Sequence, residues 1–214
     1  MDTLSDLHPD FPNAYYYGHR DDEITVKDFE SFINHRFNAG KSFELIGGRL
    51  VLMAGNASPN HQTIMVDMSI EMGNYLKGKK CRMFYDLNLY LFNDSIGKCR
   101  NIYQPDIMVC CDENKITKRG YEGVPDLIVE IISRSTSGYD YNEKYDNYIK
   151  YGVLEYWIVD PLKNKIFVYV NKDDLTINEY TFYDTAESGI FPGLSINFEK
   201  ISENLDKSEL KWLK

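Results

Sequence analysis

The chain has 214 residues, of which 43% are hydrophobic and 27% charged, and a net charge of −9. That is enough for one α/β domain with a sizeable core, and the composition excludes a disordered chain. The charge argues against a general DNA coat, whose affinity comes from Lys and Arg neutralising phosphates, but not against a site whose carboxylates are balanced by a divalent cation.

Residues 1–24 are polar and Tyr-rich without periodicity, and are expected to form an N-terminal arm, with residues 25–214 as a single domain. Thr25 and Asp28 read as a capping box for a short helix carrying Phe29, Phe32, Ile33 and Phe37. The stretch SFELIGGRLVLMAG reads as two strands turned at Gly47-Gly48, since glycine tolerates the positive φ of a two-residue hairpin. Ser58 and Pro59 then open a second helix with Ile64, Met68, Met72 and Tyr75 or Leu76 on one face, stopped by Gly78.

CRMFYDLNLYLF and IYQPDIMVCC are both β-rich, and PDLIVEIIS is a further strand. STSGYDYNEKYDNYIKYG has helical spacing, with Tyr141, Tyr145, Tyr148 and Ile149 along one face and Gly152 as the stop. EYWIVD and IFVYV are strands linked through Pro161 and Asn164, NEYTFY pairs beyond them, and ISENLDKSELKWLK is a terminal helix docking Ile201, Leu205 and Trp212 or Leu213. Strands before, between and after two helices predict an α/β fold, a mixed β-sheet flanked by helices. No apolar run approaches the ~20 residues that span a bilayer, and no leader pattern opens the chain, so a cytoplasmic protein without a membrane partner is expected. Cys81, Cys99, Cys110 and Cys111 form no CxxC pair and are expected to be reduced thiols.

Three acidic residues interrupt apolar strand patterns. Asp106 follows Pro105 at the start of one strand, Glu130 sits inside DLIVEII, and Glu44 lies between Phe43 and Leu45. A buried carboxylate is costly unless it is paired, protonated or bound to metal. If the strands of Asp106 and Glu130 are neighbours, the two can share a hard cation, Mg²⁺ or Mn²⁺, with Glu44 as a further ligand or as a group that orients one. Lys144 is the nearest lysine on the following helix, on one stripe with Asp140 and Tyr148, and would position an attacking water; a plain salt bridge to Glu130 is the competing reading. Asp126 also follows a proline and shares a face with Glu130, and a supporting or strand-capping role is expected for it. His61 and Gln62 in the first turn of the second helix would reach a substrate phosphate, with helix-start hydrogen bonding as the alternative for His61.

The segments FELIGGRLVLMAGNASPNHQ, QPDIMVCCD, PDLIVEIISRSTSGYDYNEKYDNYIKYGVLEYWIVDP and IFVYV resemble the Uma-two family of restriction endonucleases, within the PD-(D/E)xK nuclease superfamily. The likeness covers roughly residues 25–198. It implies a restriction-endonuclease-like core and a metal-dependent DNA endonuclease, with Asp106 matching the PD aspartate, Glu130 the second acidic motif and Glu44 the early strand glutamate. The lysine of the (D/E)xK tripeptide is replaced by Ile132, which makes Lys144 the candidate for the migrated base. DNA is the implied substrate, and a homodimer would suit a nuclease cutting both strands. The missing tripeptide lysine and the charge of −9 support the rival reading, a catalytically inactive binding or assembly module with the nuclease fold.

Overall fold

The structure is a computed structural model, which describes residues 24–35, 42–53, 57–133, 139–210 and 212, with backbone alone at 139 and 140. The N-terminal arm up to residue 23, Phe37, Leu213 and the side chain of Asp140 lie outside the described residues.

Local signals set most of the elements. Helix α1 (Val26–Ile33) opens on the reciprocal capping box of Thr25 and Asp28. Strands β1 (Phe43–Ile46) and β2 (Arg49–Leu52) form the expected hairpin, with Gly47 and Gly48 at φ 56° and 76°, values that glycine adopts without a Cβ penalty. Helix α2 (Pro59–Leu76) starts on the Ser58 side chain, which accepts the His61 N–H, and buries Ile64, Met68 and Met72 completely. Each of those three contributes about 1.5–3 kcal/mol by leaving water.

The two β-rich runs depart from the sequence reading. CRMFYDLNLYLF is broken into β3 (Arg82–Phe84) and β4 (Leu89–Leu91), and IYQPDIMVCC into β5 (Asn101–Tyr103) and β6 (Ile107–Cys110). In each run the two pieces belong to different sheets. Asp86, at φ 50°, turns the first run, and Pro105, which cannot donate to a ladder, interrupts the second.

Strand β7 (Tyr121–Glu122) completes a five-stranded sheet in the order β2-β1-β5-β4-β7. A six-stranded sheet runs β11-β10-β9-β8-β6-β3, adding β8 (Leu127–Ile131), β9 (Glu155–Asp160), β10 (Lys165–Asn171) and β11 (Leu175–Tyr180). Its one parallel pair, β8 and β9, is joined by a crossover through a π-helical turn (Tyr139–Lys144) and helix α3 (Tyr145–Tyr151). Gly152, at φ 92°, ends α3 in the left-handed conformation, as its place in the sequence predicts.

Strand alternation splits the core. Val129 and Ile131 face Ile64, Met68 and Met72 of α2. Helix α4 (Phe198–Glu203) and the small ribbon of β12 (Thr185–Glu187) and β13 (Ser195–Asn197) add to that layer. Ile128 and Ile132 face Tyr148 of α3 together with Ile46, Leu89 and Tyr103 of the five-stranded sheet. Helix α1 covers the far side of that sheet through Phe29 and Phe32. The expected terminal helix is shorter than its pattern, and Trp212 returns to stack beside Phe182.

The reading of all four cysteines as reduced is corrected. Cys81 and Cys111 form a disulfide with Cα atoms 4.0 Å apart, while Cys99 and Cys110 are free and buried. The β3–β6 register pairs Arg82 with Cys110, which carries Cys81 and Cys111 to the next facing position. Cross-strand proximity of this kind has no trace in local spacing.

Candidate active site

The site lies where the chain crosses between the two large sheets. Residues 104–106 make one of the crossings and residues 85–88 another; Gln104 and Asp106 reach Glu44 on β1 and the Ile131 N–H at the end of β8, and Asn88 bonds Gln104.

Glu44 alternates inward on β1, opposite in direction to Phe43 and Leu45, and is 1% exposed. Glu130, on the facing side of β8, is 3% exposed. Lys144 lies between them, 2% exposed, with Nζ 3.1 Å from Glu44 Oε1 and 3.0 Å from Glu130 Oε1. Two buried carboxylates thus share one buried ammonium.

Helical geometry explains why Lys144 reaches them. It is the last residue of the π-helical turn and stands one turn ahead of Tyr148, so the two side chains emerge on one stripe. The Tyr148 hydroxyl donates to the same Glu130 Oε1 at 2.9 Å. Tyr148 is fully buried, and burial followed by the charges of Glu130 and Glu44 holds its hydroxyl protonated, well above the ordinary tyrosine value. The Tyr103 ring lies 5.9 Å from Lys144 Nζ and packs edge-on against Tyr148, which keeps water from the charges and strengthens their attraction.

Asp106 stands at the end of the antiparallel β6–β8 ladder. With Ile107 opposite Val129, the next position along the ladder sets Asp106 across from Glu130. Asp106 Oδ2 accepts from the Ile131 backbone N–H at 2.6 Å and lies 3.2 Å from His61 Nε2. The strand neighbourhood that the pairing of Asp106 with Glu130 requires is therefore present. Asp126 caps locally, its carboxylate accepting the Cys111 N–H at 2.7 Å. Gln62 is exposed and takes no part in the cluster.

Gln104, with Asn88 and Ser42 on its side chain, and Asp86 also belong to the site. The Gln104 backbone N–H donates to Glu44 Oε1 at 3.0 Å, and its side-chain amide donates to Asn88 at 2.9 Å and accepts from the Ser42 hydroxyl. Asp86 is exposed as a residue, yet lost solvation of its carboxyl, and then the charge of Asp106, push its pKa up while His61 pulls it down. Asp86 is thus electrostatically coupled to Asp106. The Asp-Leu-Asn of 86–88 and the Gln-Pro-Asp of 104–106 are turn-type signals, but nothing in either says that the two turns converge.

The donor chemistry suits a hard divalent cation. Mg²⁺ is commonly held by one or two carboxylates with water and substrate phosphate completing its shell, and the carboxylates that would hold it here are Asp106 and Glu130, which the β6–β8 ladder sets across from each other. Among the described residues no three His, Cys, Asp or Glu side chains are grouped to hold a metal ion, and Glu44 is engaged by Lys144 and Gln104. Glu130 is engaged as well, accepting from Lys144 and Tyr148 through Oε1.

Residues 26–199 match the family model described as "Uma2: Putative restriction endonuclease". The chain belongs to the Uma2 family. Two Synechocystis relatives carry no functional description: uncharacterized protein slr1290 is 29% identical over 147 residues, 68% of this chain and 74% of its own length. Uncharacterized protein sll1609 is 29% identical over 133 residues, 60% of this chain and 72% of its own length. A crystal structure titled "a putative nuclease belonging to DUF820" from Anabaena variabilis superposes with a TM-score of 0.63 at 19% identity, covering 83% of this chain and 98% of that one. At that identity the likeness shows the fold, a mixed α/β architecture. Membership of Uma2 supports a nuclease-like function. No helix among the described residues is long and apolar enough to cross a membrane.

Proposed function

We propose that this Uma2 protein is a divalent-metal-dependent endonuclease that hydrolyses phosphodiester bonds of DNA. The observation that carries the reading is the joining of Lys144 to Glu44 and Glu130, with Asp106 beside them at the end of the neighbouring strand. Residues far apart in sequence build a buried acid–lysine group between strands of the two large sheets, and a purely structural core has no need of that chemistry.

Asp106 and Glu130 would hold Mg²⁺ or Mn²⁺, which when bound polarises a phosphoryl oxygen and lowers the pKa of water. Glu44 holds Lys144 from the other side, with its own position fixed by the Gln104 N–H. Lys144 is thereby restrained within 3.1 Å of both acids, where its ammonium orients a water and offsets charge growing on phosphate. Tyr148 fixes Glu130 through Oε1. The tyrosine rings keep bulk water off the cluster.

The net charge of −9 favours the second reading, a nuclease-fold module that binds without cutting. Incubation of supercoiled DNA with the purified protein separates the two. Nicking with Mn²⁺ or Mg²⁺ that stops in chelator supports the endonuclease, and parallel incubation with RNA assigns the polymer. Intact DNA under every metal condition favours the binding module.

A further inference from the structure

We propose that His61 is a positioning residue, whose ring holds Asp106 Oδ2 so that Oδ1 is presented to the divalent cation shared with Glu130. The inference rests on the metal reading above.

The helix-start role does not account for the ring. Capping at the start of α2 uses the backbone N–H of His61, which donates to Ser58 Oγ at 3.2 Å. The imidazole instead spans 45 residues of sequence to reach Asp106 Oδ2, and the residue is 8% exposed. A buried ring whose Nε2 meets the Asp106 carboxylate makes a contact that α2 does not need for its own formation.

The second donor on the same oxygen sharpens the point. The Ile131 N–H also bonds Oδ2, at 2.6 Å, so two donors from different elements converge on one atom. A carboxylate fixed this way cannot rotate about χ2 without losing both bonds. Its orientation is settled before any ligand arrives, and Oδ1 is the oxygen through which it meets a cation. Preorganisation of a ligand by its outer hydrogen-bond partner is the usual means by which metal affinity is tuned.

Lost solvation first, and then the charge of Asp106, raise the Asp86 carboxyl, and the opposing influence comes from His61. Its backbone is anchored as well: the neighbouring Asn60 exchanges hydrogen bonds of 2.6 and 3.0 Å with the Asp206 backbone, fixing the start of α2 to the C-terminal segment.

The test is Mn²⁺ titration by calorimetry on the whole chain, comparing wild type with His61→Leu and His61→Gln. Both variants fill the space of the ring, but only glutamine can donate to Oδ2. Expected is Mn²⁺ affinity weakened about 10–100-fold in His61→Leu and largely restored in His61→Gln, with similar unfolding midpoints. A purely structural role would move the midpoints of both variants and give glutamine no advantage in affinity, and that result overturns the proposal. Wild-type affinity in His61→Leu overturns it too and leaves the metal reading standing. Absence of Mn²⁺ uptake by the wild type overturns the metal reading, and the proposal with it.

Discussion

Replacing Lys144 by methionine keeps the bulk of the side chain and removes its charge, so Glu44 and Glu130 lose the ammonium they share. At 3.0 and 3.1 Å each ion pair is worth about 5 kcal/mol in an effective dielectric of 20, before the desolvation of all three groups is subtracted. Removing one partner of a buried pair costs about 3–5 kcal/mol net, because the charge left behind is uncompensated. For a chain of this size that lowers the melting temperature by roughly 6–20 °C. Urea unfolding of wild type, Lys144→Met, Glu130→Gln and the double variant measures it. The double variant should lose less than the sum of the singles, by about 0.5–3 kcal/mol. A Lys144→Met loss under 1 kcal/mol, or strict additivity, would refute the ion-pair account.

Three other outcomes follow from the structure. Gly120→Ala should cost roughly 1–3 kcal/mol by denaturant titration, since a Cβ there lies 2.1 Å from the Asn88 carbonyl at φ 147°; wild-type stability would contradict the tight approach. Thiol titration in denaturant without reductant should find only Cys99 and Cys110, and Cys81→Ser should cost about 3–4 kcal/mol for the 30-residue loop released; four reactive thiols would remove the disulfide. Burial holds the Glu155 carboxyl above its ordinary value of 4.5, only partly offset by hydrogen bonds from Trp157, Ser188, Gly189 and Ile190. The folded chain then keeps a proton that the unfolded chain has released, so stability falls as pH rises from about 4.5 through the raised folded value. Glu155→Gln should flatten that slope, and an unchanged slope would remove Glu155 as its source.

How far the sequence carried depended on the range of the interaction. Ser58-Pro59, Gly47-Gly48, Gly152 and the Thr25–Asp28 box act over a few residues, and their elements are where the pattern places them. Glu44 and Glu130 stood out because an acid in an apolar strand needs a partner, and the Lys144–Tyr148 stripe follows from the helical repeat. The division of two β-rich runs between two sheets was less legible. A hydrophobic run has the same pattern whether or not it changes sheet, and the turn at Asp86 leaves no stronger mark on it. Asp86, Gln104 and the Cys81–Cys111 bridge depend on which crossings and strands become neighbours, a property of the assembled fold.

The most direct measurement is the rate of Mn²⁺-dependent nicking of supercoiled DNA by wild type, Asp106→Ala and Glu130→Gln, purified identically and shown folded by circular dichroism. Cleavage by the wild type that falls at least about a hundredfold in both variants is the expected result, since each would lose a metal-holding carboxylate. Cleavage undiminished in both, or absent from the wild type with either Mg²⁺ or Mn²⁺, would contradict the assignment of this carboxylate pair as a nuclease centre.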